Sequence, residues 1–106
     1  MEVIVKRYGK SEMFYELVSG KTLFVGVGTE IPLQIVPQLD NVYISYKTRW
    51  DYIVSESFLS IVEDDSFETV IFYTYDSYKK KNDDVDALDS KLSSLGMKTV
   101  FMFSYD

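Results

Sequence analysis

Apolar positions along this chain switch between two periods. From Glu2 to Arg7, Val3 and Val5 alternate with Glu2, Ile4 and Lys6, the two-residue period of a strand with one better-buried face. After Gly9, Met13, Phe14, Leu17 and Val18 fall on one side of a helix that Ser11 opens as a cap and Gly20 closes. Leu23 to Val27, Thr69 to Tyr75 and Val100 to Phe103 are apolar at successive positions and rich in β-branched and aromatic residues, the pattern of strands covered on both faces. Val42, Ile44 and Tyr46 alternate in a further strand that starts at Asn41. Phe58, Ile61 and Val62 form a second helical stripe, and Val85, Leu88, Leu92 and Leu95 form a third. The third helix is predicted to begin with Asp83 and Asp84 in its first turn, where the dipole favours acids, and to end at Gly96.

Glu30 to Leu39 carries both signals. Pro32 suits the first turn of a helix, whereas Pro37 inside one would cost about 3 kcal/mol; Ile31, Leu33 and Ile35 also alternate. The reading favours a short helix stopping near Val36, with an edge strand as the alternative. The resulting order, β-α-β-α-β-α-β-α-β, predicts an α/β fold: one small domain over residues 1–106 with a mostly parallel five-stranded sheet and helices on both faces.

Within that order one stretch resembles another 44 positions on: Tyr8, Ser11, Glu12, Phe14 and Val18 recur as Tyr52, Ser55, Glu56, Phe58 and Val62. Thr22-Leu23-Phe24-Val25 then aligns with Thr69-Val70-Ile71-Phe72 after a three-residue insertion, and Ser45-Tyr46 with Ser104-Tyr105. The expectation is an internal duplication, with one α/β motif over about residues 1–47 and the other over about 48–106.

Composition narrows the chemistry. The 106 residues contain no Cys and no His, which removes disulfides, thiol or imidazole nucleophiles, imidazole general bases and the usual zinc ligand sets. A net charge of −6 argues against binding nucleic-acid backbones, which depends on clustered basic residues; Lys6, Arg7, Lys10, Lys47 and Arg49 are the residues that would have to form a local basic face. Lys79-Lys80-Lys81 precedes Asp83 and Asp84 and reads as a solvated loop. With no basic-then-apolar leader and no apolar run of spanning length, a cytoplasmic protein without membrane partners is expected. A motif-poor composition of this kind suggests a small viral or plasmid genome as source.

Three groups of residues invite a functional reading. Gly26-Val27-Gly28-Thr29 follows a strand, and with Ser19 to Val25 before it the segment resembles the first motif of class I methyltransferases, where a strand ends in a G-x-G turn against S-adenosylmethionine. The resemblance spans about a tenth of the chain and implies that Gly26, Gly28 and Thr29 line a cofactor. The acid which that family places at the end of the next strand is replaced here by Tyr46-Lys47-Thr48. Asp83, Asp86 and Asp89 share one side of a helix and present oxygen ligands of the kind Mg²⁺ takes, but early-helix acids opposite a leucine stripe serve the helix itself, and no metal is assigned. Glu12 and Glu56 each follow a capping Ser, which accounts for both without an acid–base pair.

The third group is aromatic. Tyr46, Trp50, Tyr52, Tyr75, Tyr78 and Tyr105 lie near strand ends or in the segments after them, and Tyr and Trp are favoured in interfaces. The leading expectation is therefore a non-enzymatic protein, without cofactor, that binds a protein or peptide at an aromatic groove between its two motifs, self-association being a related case. The alternative is a minimal Rossmann-like binder of a nucleotide or S-adenosylmethionine at Gly26 to Thr29.

Overall fold

The structure is a computed structural model that describes residues 1–5, 11–31, 36–47, 49–53 and 56–105, with residues 11–13, 51, 52, 56 and 105 described by their backbone alone. Its elements are β1 (Glu2–Val5), α1 (Ser11–Leu17), β2 (Thr22–Val27), β3 (Val42–Lys47), α2 (Trp50–Ile53), α3 (Glu56–Asp64), β4 (Thr69–Ser77), α4 (Tyr78–Ser94) and β5 (Lys98–Tyr105). All pairings are parallel and make one five-stranded sheet in the order β1-β5-β4-β2-β3. The three runs read as doubly buried are the three interior strands, because a strand flanked on both sides and covered on both faces has no position that can be polar without cost.

Burial shows how the sheet is covered. Trp50 and Ile53 of α2, Phe58 and Val62 of α3, and Val85, Leu88 and Leu92 of α4 pack with Leu23, Val25, Val70, Phe72, Phe101 and Phe103 on one face. Phe14 and Leu17 of α1, with Ile31 and Val36, pack with Phe24, Ile71, Tyr73, Val100 and Met102 on the other. The chain crosses the second face while moving from β1 to β2 to β3, and the first face while returning to β4 and β5. All four crossovers therefore share one hand, as the right-handed rule for parallel connections requires. The reversal falls between β2 and β4. The sheet has the 2-1-3-4-5 order of a common doubly wound architecture, with the final strand moved to the front of the chain.

Several local expectations are corrected. Helix α4 begins at Tyr78, directly after Ser77, which is still extended with φ −88° and ψ 132°; Lys79-Lys80-Lys81 is thus the first turn of a helix and not a loop, and Asp83 and Asp84 move into the second turn. The reason is Tyr78, which stands two turns before Val85 on the same stripe and packs its ring 5.4 Å from that of Phe103. At the other end the stripe stops at Leu92, and Leu95 is an exposed cap residue before Gly96, whose φ is +82°. Ile61 is exposed; α3 buries Phe58 and Val62 and leans on Leu59 instead. Of Glu30 to Leu39, residues 32–35 lie outside the described residues, and Ile31 and residues 36–39 are in neither helix nor strand.

The duplication is not confirmed by the fold. Thr22 pairs with Thr69, Leu23 with Val70, Phe24 with Ile71 and Val25 with Phe72, so the aligned strand residues point to the same face. The aligned helices do not: α1 covers one face and α3 the other. No single rotation superposes both strand and helix in that alignment. The shared side chains are explained by a common demand, an apolar helix stripe followed by a buried strand.

Candidate functional site

Parallel strands deliver their following residues to one edge of the sheet, and where the winding reverses, the two connections leave in opposite directions and open a crevice. Here that crevice lies at the carboxyl ends of β2 and β4. It encloses about 380 Å³ and is lined by Val27 and Gly28 from β2 and the turn after it, Arg49 and Trp50 at the start of α2, Asp76 from β4, and Lys81 and Asp84 from α4. A shallower depression of about 430 Å³ adjoins it through Gly28 and is bounded by Thr29, Glu30, Tyr46 and Lys47.

Asp76 is held at the crevice wall by hydrogen bonds. Its Oδ2 accepts the indole N–H of Trp50 at 2.9 Å and the hydroxyl of Thr74 at 3.1 Å, while its backbone N–H donates to the Thr74 hydroxyl at 3.2 Å. Trp50 is in turn clamped: it is 5% exposed, and its ring lies nearly parallel to Phe103 at 5.8 Å and tilted over Phe72 at 6.2 Å. A buried indole needs an acceptor, and supplying one fixes the carboxylate at the crevice wall.

The glycine turn is organised differently from a cofactor cradle. Gly26 is buried, and a Cβ there would collide with the carbonyl of Thr29 and come within 3.0 Å of the Tyr46 ring and 3.3 Å of Ile31. Its missing side chain makes room for the chain's own return, not for a ligand. Gly28, with φ +70°, borders both openings, but its N–H is donated to the Lys47 carbonyl at 2.8 Å. Thr29 borders the shallow depression only.

The aromatic set is dispersed. Trp50 belongs to the core and shows the crevice only its edge, and Tyr78 is half-buried against Phe103. Tyr46 and Tyr75 are exposed, at 48% and 53%, and the side chains of Tyr52 and Tyr105 lie outside the described set. The groove between the two halves is therefore lined mainly by charges, and besides Tyr75 on β4 and Tyr15 on α1 the exposed aromatic side chains sit at the sheet edge on β3. There Tyr43 and Ile44, which the expected set did not include, are 46% and 36% exposed beside Tyr46.

Other candidates separate in the same way. Asp89 accepts hydrogen bonds from Thr99 at 2.5 Å and Ser93 at 3.1 Å, and among the described residues no three acidic groups converge as a metal site would need. The side chains of Glu12 and Glu56 fall outside the described set, as do Lys6, Arg7 and Lys10. Among the described residues no helix is long and apolar enough to cross a membrane. Compared with known proteins, the chain matches no family model, no curated sequence and no solved structure.

The crevice residues not read from the sequence as site residues, Arg49, Asp76, Lys81 and Asp84, come from three separate segments, and only one carried a usable signal. Asp76 is the first charged residue after the apolar run of β4, which puts an acid at the carboxyl end of an interior parallel strand.

Proposed function

We propose that this chain is a non-enzymatic binding protein that takes up an extended segment of another protein along β3. The observation that carries the reading is the state of that strand. Among the described residues, β3 pairs with β2 on one side through all six residues from Val42 to Lys47 and ends the sheet on the other. Its outer side thus offers a row of backbone donors and acceptors flanked by exposed Tyr43, Ile44 and Tyr46. Edge strands are commonly guarded by proline, bulges or charges. β3 has no proline, its pairing with β2 runs without a register shift, and its single charged residue, Lys47, turns its ammonium to within 5.9 Å of the Phe58 ring. Strand addition supplies affinity through main-chain hydrogen bonds and specificity through alternate side chains.

The occupant is a foreign segment of neutral or basic character with alternating apolar residues. A net charge of −6 on each chain opposes the approach of a second copy and draws a partner of opposite sign. The test is selection of displayed random peptides on the wild-type protein, followed by calorimetry and amide exchange on wild type and Ile44→Lys. Alternating apolar peptides of micromolar affinity that protect the β3 amides and bind the variant at least about tenfold more weakly support the proposal. Peptides that do not distinguish the variant, or protection away from β3, would overturn it. So would a concentration-dependent dimer that Ile44→Lys abolishes, because the edge would then serve a second copy.

A further inference from the structure

We propose, resting on the reading of β3 as a peptide edge, that the partner segment is anchored there by one basic side chain, arginine above lysine, which lies on Tyr46 and meets Glu30. The place for it is the depression of about 430 Å³ bounded by Gly28, Thr29, Glu30, Tyr46 and Lys47, at the carboxyl end of the edge strand.

Tyr46 supplies a ring that is both held and open. It pairs with Gly26, and a Cβ on that glycine would come within 3.0 Å of the Tyr46 ring and 3.3 Å of Ile31. The bare glycine therefore lets the ring settle against β2, while Tyr46 stays 48% exposed. A tyrosine face attracts a cation, and a guanidinium also stacks on it.

Glu30 supplies the charge. It is exposed, and among the described residues no cation pairs with it. Lys47, the cation on the rim, is directed elsewhere: its ammonium lies 5.9 Å from the centroid of the Phe58 ring. Phe58 packs on the face that α3 covers, whereas Tyr46 sits with Gly26 and Ile31 toward the other. The depression thus joins an aromatic ring to a carboxylate, the two groups that together recognise a guanidinium.

The opposite end of the strand shows why the anchor belongs here and not beside Tyr43. The Tyr43 ring already has a cation, the Lys21 ammonium, at 5.2 Å; that ammonium also lies 4.7 Å from the Phe67 ring and donates to the Asp65 carbonyl. A second cation at Tyr43 would meet like charge, and one at Tyr46 meets the opposite charge. β3 therefore has an electrical direction, with a cation near its amino end, a carboxylate near its carboxyl end and exposed Ile44 between them for an apolar side chain.

The experiment takes the tightest peptide selected on the wild-type protein and replaces each of its basic residues in turn, arginine by citrulline and lysine by glutamine. The set is titrated calorimetrically into wild type, Glu30→Gln and Tyr46→Leu, with amide exchange locating the peptide. One replacement should weaken binding to wild type at least about fivefold and weaken binding to either variant distinctly less, a coupling that an indirect effect on the fold would not produce. Glu30→Gln should melt with wild type. Peptides that protect the β3 amides yet lack basic residues, or tolerate neutral replacement at every one, would overturn the anchor and leave the peptide edge standing. A basic residue whose loss weakens binding equally in wild type and either variant would overturn it too, since its charge would then answer the overall field and not this depression. If no peptide binds β3, the edge and its anchor fail together.

Discussion

The two ends of the same sheet are built to different ends. At the amino ends of the strands the polar groups are answered within the chain. The Thr69 hydroxyl donates to the Ser19 carbonyl at 2.7 Å, the Thr22 hydroxyl to the Gly20 carbonyl at 3.2 Å, and the Asn41 amide to that same Gly20 carbonyl at 2.6 Å. Glu68 accepts the Lys21 N–H at 2.9 Å, and the Lys21 ammonium reaches the Asp65 carbonyl. At the carboxyl ends Arg49, Lys81, Asp76 and Asp84 instead surround an opening. The residue types are similar and the use differs: one end ties neighbouring segments together, while the other lines an opening with charged side chains. Stability should therefore depend on the first end and binding on the second.

The largest expected effect tests the closed end. Gly20 has φ +66°, and a Cβ there would run into the Glu68 carboxylate, so Gly20→Ala should lower unfolding free energy by about 2 kcal/mol in urea titrations. Removing the obstruction in Gly20→Ala/Glu68→Ala should return part of that loss, and no recovery would mean that backbone strain accounts for all of it. Thr69→Val, which keeps shape but removes the donor to Ser19, should cost about 1 kcal/mol. At the open end, Asp76→Asn and Lys81→Gln should each stay within about 0.5 kcal/mol of wild type. A loss at Asp76 equal to that at Thr69 would erase the contrast and make the carboxylate a structural fixture. Smallest of all is Ile44→Lys on the exposed edge, expected to leave thermal stability unchanged while weakening peptide binding at least about tenfold.

The interior of the sheet was readable because β2, β4 and β5 answer to one requirement, burial on both faces, which leaves a continuous apolar run. The α4 stripe was readable from Val85, Leu88 and Leu92 for the same reason. Its beginning was not, since three lysines look like solvent and only the spacing of Tyr78 from Val85 betrays the extra turn. The crevice was still less legible: Gly28, Arg49, Asp76 and Lys81 are joined by topology, not by spacing. The glycine turn was visible and its purpose was not, because only three dimensions show that Gly26 makes way for Thr29 and Ile31. Trp50 looked like an interface residue and proved to be a core ring, its indole answered by an acid 26 positions away.

The place of β1 bears on how the chain reaches this fold. Glu2 to Val5 pair with Val100 to Phe103, so among the described strands β1 docks against β5 alone, the strand farthest from it along the chain. Until β5 is in place, Val3, Ile4 and Val5 have no sheet to join, and closing so long a loop slows folding. Assembly should start on the β2–β4 pair and proceed outward, with β1 seated at the end. A nascent or truncated chain would present that short apolar segment to chaperones and proteases until synthesis has passed β5.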